Sequence, residues 1–529
     1  MELSSVILLI SRFGELFSQC CNDIKAYERL ITSIGGVVGR SSQDEEYRFK
    51  LASSRKLWET LQKSLNCVEQ PSINDDKLCF FYVRSIRALI LLMRNLSVSN
   101  QEIPQTLLLQ NSVIRSVLLG ASVKCEKVSV SLYTLSLEFL HNITKESVIF
   151  DENEIDSLMC YLKYPLQNLN EMNQEILLTY ALLFLNLTAS DDFLYHFVRH
   201  CACCTILCDI LVEQIAQKHS SLFHHLHQGP TVDEKFEIST MDAVILRLFA
   251  NLSSNESFGR LVTRIEERNT AQLINVLRLV QLAITSKESW NNATLTGVLS
   301  WCFPCFQKTG QLVKEYFALN FENNQTAEIL HDKLSITLDI IASLSHYDHV
   351  QEFLLSYDGL EELISLLKSL QENLIRVNIH KNVDGSVKST NITTSSGEKV
   401  TDQSLLNMRY DRSSKKILPT NFPECKSLII EILSMLTHKR TNVQDKIRQL
   451  HGLELVLSNC VIDDNDPFIK ERSIVCIKFL LQDNKENQDF VAKLEAKKPV
   501  QDEIISEAGF EIKIGDTGSV SLKAKERIE

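Results

Sequence analysis

The chain has 529 residues, of which only 16 are glycine and 9 are proline, so loop-rich and collagen-like chains are excluded. Hydrophobic residues form 44% and charged residues 23% of the sequence, which excludes disorder of the whole chain and allows a large core. A formal net charge of −12 is the opposite of what a phosphate-binding surface needs, so we expect no nucleic-acid partner.

The first segment predicts a helical cap over residues 1–78. Its apolar run at residues 5–10 follows Glu2 instead of a basic flank, so we expect the first turns of a buried helix and no targeting signal. No apolar run approaches the roughly 18 to 20 residues that a bilayer span requires. We therefore expect no membrane span and a cytoplasmic location.

A short motif recurs down the next part of the chain: an apolar helix, then Asn-Leu/Ile-Ser/Thr, then a polar stretch. It begins at Asn95, Asn142, Asn186 and Asn251. The first two spacings are 47 and 44 residues, close to the period of about 40 to 47 of armadillo and HEAT repeats, and the third, 65, allows an insertion. Equivalent positions then fall at Ser343, Met435 and Phe479. The triplets match the glycosylation acceptor pattern, but sugar attachment is not expected here, so their recurrence needs another cause.

Each helix of this pattern has apolar residues at i, i+3, i+4 and i+7, as at Ile86, Leu89, Ile90 and Met93, which gives one buried stripe per helix. Such units bury their stripes only against neighbouring units. We therefore predict an all-α, armadillo/HEAT-like, right-handed superhelical repeat array. Within one unit, Gly359 is predicted to end a helix with a positive φ, and Gly452 occupies the same position in a later unit.

The pattern resembles armadillo repeats over roughly residues 80 to 495. In that family the Asn near the end of the third helix lines a groove and hydrogen-bonds an extended peptide, and the matching positions here are the four Asn of the motif. An amide offers both a donor and an acceptor to a peptide backbone. The alternative is that each Asn caps the end of its own helix. The resemblance leaves both alternatives open.

The chain has 15 cysteines, an odd number without a regular framework, which indicates reduced thiols. A cluster in an apolar helix could supply soft metal ligands for copper or zinc, although core packing is the simpler interpretation: Cys201, Cys203, Cys204 and Cys208. Cys302 and Cys305 have the spacing of a thiol redox motif but follow a helix instead of a strand. No phosphate loop or other catalytic motif is recognised, so we expect no enzyme, no cofactor and no bound metal.

Two later segments depart from the repeat. Residues 376–416 are polar, with too little apolar content to fold alone, and predict a mobile insertion. Residues 509–523 alternate apolar and polar positions around a Gly-Asp-Thr-Gly turn, which predicts a short β-hairpin in the tail.

The segments that begin at Lys426, Asn442, Asn459 and Glu486 resemble the carboxy-terminal domain of the ataxin-10 family. The residues that carry this signature are Asp463, Asp464, Pro467, Phe468, Glu471, Asn487 and Gln488. Arg472, Asp466 and Phe479 differ from the animal pattern and indicate a divergent, fungal branch.

Beyond the cap, we predict armadillo-like repeats at 79–375, the insertion at 376–416, the ataxin-10 domain at 417–500 and the tail at 501–529.

We expect the aspartates before Pro467 to favour entry into the following helix, and Phe468 to anchor that entry against the preceding unit. The resemblance implies a cytoplasmic, non-enzymatic protein that binds other proteins and is linked to regulation of cytokinesis. Our leading hypothesis is therefore a protein-binding scaffold. The alternatives are a soft-metal handling protein and, more remotely, a thiol oxidoreductase.

Overall fold

The computed structural model describes residues 1–19, 23–69, 75–122, 126–145, 154–165, 172–223, 238–319, 324–381, 387–494, 510–514 and 520–524. The chain divides into two compact units, Met1–Lys287 and Glu288–Glu529. Both units are built from packed α-helices, as the sequence predicts.

The first unit contains only helices among its described residues. They are α1 Leu3–Ser18, α2 Ile24–Gln43, α3 Glu45–Ala52, α4 Arg55–Asn66, α5 Asp76–Ser97, α6 Glu102–Thr106, α7 Leu109–Ser122, α8 Glu126–Ile143, α9 Ile155–Lys163, α10 Gln174–Leu187, α11 Asp191–Arg199, a π-helix Thr205–Ala216 continued by α12 Gln217–His219, α13 Thr240–Ser253, α14 Phe258–Arg268 and α15 Thr270–Thr285.

The long helices of this unit pack in sequence: α2 lies against α5, α5 against α8, α8 against α10, and α10 against α13. Their apolar stripes form the core, and Ile86, Leu89, Ile90 and Met93 of α5 are all fully buried. Side-chain caps begin several helices; Ser239 and Asp242, for example, form a capping box at the start of α13. This serial packing of helices is that of a helical repeat protein.

Among its described residues, the second unit combines helices with three short strand pairs. Its elements are α16 Asn292–Ala318, α17 Asn324–Leu344, α18 Asp348–Ser356, α19 Gly359–Asn373, β1 Arg376–Lys381, β2 Val387–Thr393, α20 Gln403–Arg409, β3 Tyr410–Asp411, β4 Lys416–Ile417, α21 Cys425–Thr437, α22 Thr441–Gln449, α23 Gly452–Ser458, α24 Ile469–Leu481, α25 Lys485–Ala492, β5 Phe510–Ile514 and β6 Val520–Ala524.

Gly359 and Gly452 have a different role from the predicted one. Neither has a positive φ; the residues before them do, with φ of 59° at Asp358 and 60° at His451. Each glycine is the first residue of a helix that passes close to the preceding one, and a Cβ on Gly359 would lie 2.8 Å from Leu354 O. Close approach of backbone to backbone, and not helix termination, therefore requires a glycine at 359, whereas a Cβ on Gly452 would first meet Ile447 Cγ2, at 2.8 Å.

The described part of residues 376–416 is folded, which differs from the mobile polar segment that the sequence predicts. β1 and β2 pair antiparallel, with Val377 opposite Ile392, and β3 pairs with β4. A small apolar core lies beneath them: Ile375, Val377, Val400, Leu406 and Tyr410. The composition misled the prediction because these apolar residues are far apart in sequence and meet only after the strands pair.

The tail contains the predicted hairpin, since β5 and β6 pair antiparallel with Ile512 opposite Leu522. The predicted turn at residues 515–518 lies outside the described residues. Among the described residues, no single helix has both the length and the apolar character to cross a membrane, although α10 and α11, which meet at a bend of 108°, pass such a test together. The remaining segment boundaries, 1–78, 79–375 and 417–500, stay predictions.

Candidate protein-binding site

The four predicted Asn residues lie at equivalent positions, near the ends of α5, α8, α10 and α13. Each Nδ2 donates to the repeat before it. Asn142 donates to Ser97 Oγ at 3.1 Å, and Asn186 donates to Thr144 Oγ1 at 3.2 Å. Asn251 approaches the equivalent hydroxyl, Thr188 Oγ1, at 3.5 Å. The acceptor is each time the third residue of the preceding Asn-x-Ser/Thr triplet.

Asn95, the first of the series, also donates to an earlier helix, with Nδ2 3.1 Å from Ser41 Oγ and 3.3 Å from Val38 O, although Ser41 is not part of an Asn-x-Ser/Thr triplet. We call the series Asn95, Asn142, Asn186 and Asn251, with the hydroxyls that they contact, the asparagine ladder.

Each hydroxyl of the ladder also donates to its own helix. Ser97 Oγ donates to Arg94 O at 2.8 Å, and Thr144 Oγ1 donates to Leu140 O at 2.8 Å. The hydroxyl thus donates within its own helix and accepts from the Asn of the next repeat. This arrangement requires both the Asn and the Ser or Thr of the triplet. This explains why the triplet recurs without any role for sugar attachment.

The hydrogen bonds of the ladder bear on the two roles that the sequence left open for these asparagines, which were lining a groove and capping their own helices. The Nδ2 donors are used between repeats, so the amides do not cap their own helices. Among the described residues, no donor reaches Oδ1 of Asn142, Asn186 or Asn251, and these three side chains are half-buried. Their carbonyl oxygens are therefore free to accept a hydrogen bond from another molecule, whereas Asn95 Oδ1 accepts one from Arg94 Nη1 at 3.1 Å.

A second polar assembly lies in the other unit, around a buried lysine. Lys426 Nζ, at the start of α21, is 3.0 Å from Asp463 Oδ2 and 3.2 Å from Asp466 Oδ2, and all three side chains are at most 3% exposed. Burial lowers the pKa of Lys426, but the two carboxylates outweigh it, so that pKa is raised. Burial raises the pKa of Asp466 despite the opposing effect of Lys426.

The loop that carries these aspartates holds β1 in place. Val377 N donates to Asp463 Oδ1 at 3.0 Å, and Ile379 N donates to Asp464 Oδ2 at 2.5 Å. In the reverse direction, Asp464 N donates to Val377 O at 2.7 Å. Two family-signature aspartates therefore fix the strand that begins the insertion.

The carboxy-terminal region that contains this assembly matches a known family model. The family model described as "Spinocerebellar ataxia type 10 protein domain" matches residues 425–523. The "Ataxin-10 homolog" of Candida glabrata is 40% identical over 523 residues, 98% of this chain and 98% of that protein. This chain belongs to the ataxin-10 family. The "Ataxin-10 homolog" of Saccharomyces cerevisiae is 38% identical over 96% of this chain and 93% of that protein. Human "Ataxin-10" matches only 87 residues, at 37% identity, covering 16% of this chain and 18% of that protein.

The ataxin-10 signature contains two residues that the structure places differently from our expectation. Helix α24 begins at Ile469, so Pro467 precedes the helix instead of opening it. Phe468 has a φ of 63° and is 73% exposed, so it does not anchor the joint. Asp466 acts at another helix, since its Oδ1 accepts from Ser427 N in the first turn of α21 at 3.2 Å. Glu471 is exposed.

The remaining signature residues connect terminal helices. Asn487 Nδ2 donates to Leu480 O at 2.8 Å, and Gln488 Nε2 donates to Leu481 O at 2.8 Å, so both satisfy carbonyls at the end of α24. Sequence reasoning missed Lys426, because a lysine in an apolar helix gives no sign that two acids distant in sequence will bury it. The only sign of this buried site in the sequence was the spacing of Asp463 and Asp466.

The cysteine cluster does not assemble into a metal site. Cys203 and Cys204 have their Sγ atoms 3.8 Å apart, and Cys208 is buried on the π-helix, whereas Cys201 is exposed. Within the described ranges, no group of three or more His, Cys, Asp or Glu could hold a metal ion. The hydrogen bond from Cys203 lowers the pKa of Cys204 to about 7. Among the described residues, the metal alternative therefore has no ligand set to support it.

The pair Cys302 and Cys305 lies in the middle of α16, and not at the helix start where a redox thiolate is stabilised. Cys302 is fully buried, its Sγ contacts Thr337 O at 3.7 Å, and burial raises its pKa well above the usual value. Such a thiol is a poor nucleophile, which argues against the oxidoreductase hypothesis.

Proposed function

We propose that this protein is a non-enzymatic, cytoplasmic scaffold that binds other proteins and acts in the regulation of cytokinesis. The helical repeat fold and membership of the ataxin-10 family point to a non-catalytic protein. The link to cytokinesis comes from the family resemblance. Repeat proteins present extended surfaces for binding, because each unit contacts only its neighbours and leaves its flanks exposed.

The observation that carries the proposal is the set of unused acceptors on the asparagine ladder. Asn142, Asn186 and Asn251 are held by their Nδ2 donors, and their Oδ1 atoms remain available to backbone N–H groups of an extended partner segment. Since the ladder fixes these side chains in advance, binding loses less conformational entropy than it would with mobile amides.

Paired substitutions at Asn142 separate the two functions of the amide. Asn142→Ala removes the donor to Ser97 and the free acceptor, whereas Asn142→Asp removes the donor but keeps acceptor oxygens. Partners are first identified by affinity purification of the tagged full chain and mass spectrometry, and each variant is then compared by the same pull-down. We expect similar thermal midpoints for the two variants, with partner recovery lower for alanine than for aspartate.

Equal partner recovery by the two variants would contradict binding through the Asn acceptors. For the cellular role, depletion of the protein should give undivided cells with more than one nucleus, counted by microscopy. Normal completion of division after depletion would contradict the link to cytokinesis.

A further inference from the structure

The folded insertion contains a cavity of about 290 Å³ that opens between β2, β3 and the segment leading to β4. We call it the insertion pocket. Its apolar side chains are Ile392, Val400, Leu406 and Tyr410. This volume is near the lower end of the range for ligand pockets. It suits one apolar side chain of a larger partner.

Three cations, Lys399, Arg412 and Lys415, line the same pocket and are exposed. In the part of the chain that the structure describes, none of them forms an ion pair, and no carboxylate lines the pocket. Two acids are adjacent in sequence to these cations: Asp411 is engaged within its own turn, where it accepts from Ser413 N at 2.9 Å, and Glu398, next to Lys399, is exposed and does not line the pocket. A chain with a net charge of −12 thus has a local concentration of positive charge at an apolar opening.

Arg409 precedes the pocket residue Tyr410 in sequence but does not line the pocket. Its side chain is 5% exposed, and its guanidinium carbon lies 5.4 Å from the centre of the Phe317 ring. Among the described residues, its Nε and Nη1 have no hydrogen-bond partner. Its guanidinium thus faces the Phe317 ring, and Arg409 is not counted among the cations of the pocket.

The pocket is built on a fixed support. Asp463 and Asp464 hold β1, as described above, and Asn421 holds the residue before it: Ile375 N donates to Asn421 Oδ1 at 3.1 Å, and Asn421 Nδ2 donates to Ile375 O at 3.0 Å. The strand pair that forms one wall is therefore anchored to the ataxin-10 domain. A fixed wall lowers the entropic cost of binding.

We propose that the insertion pocket binds an acidic, extended peptide segment of a partner protein, with one apolar side chain in the pocket and flanking carboxylates at Lys399, Arg412 and Lys415. The inference rests on the proposed scaffold function and adds the chemical class of one partner. It does not depend on the asparagine ladder, which lies in the other compact unit.

The test uses the full chain, immobilised and exposed to a phage-displayed library of random peptides. We expect selected peptides to carry one large apolar residue flanked by Asp or Glu. A fluorescent peptide of the selected sequence then gives affinities by anisotropy. An exposed ion pair contributes a factor of roughly 1.5 to 5, so loss of three pairs weakens binding roughly 3- to 125-fold. Lys399→Glu with Arg412→Glu and Lys415→Glu also repels the acidic peptide, so we expect weakening of about tenfold or more. Added salt should weaken it as well.

Lys416→Glu provides the matched control, because Lys416 is an exposed lysine on β4 that does not line the pocket. This variant should bind the peptide about as well as the unmodified chain. The triple variant should keep its thermal midpoint, since the three cations form no described ion pair. An unchanged midpoint shows that lost binding is not lost folding.

Selection of basic or uncharged peptides, or acidic peptides whose binding survives the triple variant, would overturn the inference. Acidic peptides that depend instead on Asn142 would also overturn it, while leaving the scaffold function intact. Conversely, loss of peptide binding in the triple variant together with normal partner recovery by both Asn142 variants would support the pocket and remove the ladder from the binding surface.

Discussion

Replacing Asn186 by alanine tests the asparagine ladder at the best connected of the three positions whose Oδ1 is free. Asn186 Nδ2 donates to Thr144 Oγ1 and to His141 O, both at 3.2 Å. A net contribution of about 0.5–1.5 kcal/mol for each bond predicts a loss of about 1–3 kcal/mol in the free energy of unfolding. Asn142, with one bond of 3.1 Å, predicts about 1 kcal/mol, and Asn251, at 3.5 Å, predicts less than about 0.5 kcal/mol.

The measurement combines thermal unfolding with native-state hydrogen exchange. A chain of 529 residues with two compact units is not expected to unfold in one step, so a single midpoint is not sufficient. Hydrogen exchange localises the effect, and amides of α8 and α10 should lose protection in the Asn186 variant because the ladder joins these helices. Asn66→Ala is the control, since Asn66 is exposed and makes no side-chain hydrogen bond with any described residue.

The reasoning requires the order Asn186, Asn142, Asn251, with the largest loss first. A loss for Asn186→Ala no greater than that for Asn66→Ala would refute it, as would faster exchange spread evenly over the whole first unit. Either result would mean that the ladder contacts do not stabilise the joints between repeats.

Three further predictions concern the remaining structure. Lys426→Met leaves two buried carboxylates without a cation and should destabilise the protein by about 3–5 kcal/mol; because the pKa of Asp466 is already raised, the loss measured by urea unfolding should shrink as the pH falls through that pKa and the carboxyl becomes neutral. Gly359→Ala should lower the thermal midpoint, because the added Cβ meets a backbone oxygen at 2.8 Å, whereas Gly36→Ala, in open space within a helix, should raise it slightly. Cys302 should resist alkylation by iodoacetamide until the protein unfolds, as followed by mass spectrometry; rapid labelling of the native protein would contradict its burial.

The helical repeat was predictable because it depends on local patterns. Two patterns can be recognised in the sequence: the apolar spacing in α5, α8, α10 and α13, and the recurring triplet. In the structure, both contribute to the packing of one helix against another. The alternation in the tail likewise predicted the pairing of β5 and β6. The Asn positions could be identified, but not their hydrogen bonds, since the acceptor of each Asn lies about one repeat earlier in the chain.

The other differences arise where contacts join residues that are far apart in sequence. The insertion folds because Asp463 and Asp464 bind a strand more than 80 residues earlier, as the 86-residue separation of Val377 and Asp463 shows. Composition within the insertion cannot reveal such a support. Similarly, Phe468 was expected to be buried because it is large and apolar, yet its positive φ directs the chain so that the ring is exposed.

The attachment of β1 to the aspartate loop has a consequence for dissecting the protein. A fragment that starts at Cys425, where the family match begins, would contain Asp463, Asp464 and Lys426 but neither Val377 nor Asn421. Asp463 would keep Lys426 but lose the N–H of Val377, Asp464 would lose the N–H of Ile379, and a surface that β1 covers would meet water. The smallest autonomous piece of this domain therefore extends upstream through the insertion, and sequence alignment alone would cut it too short.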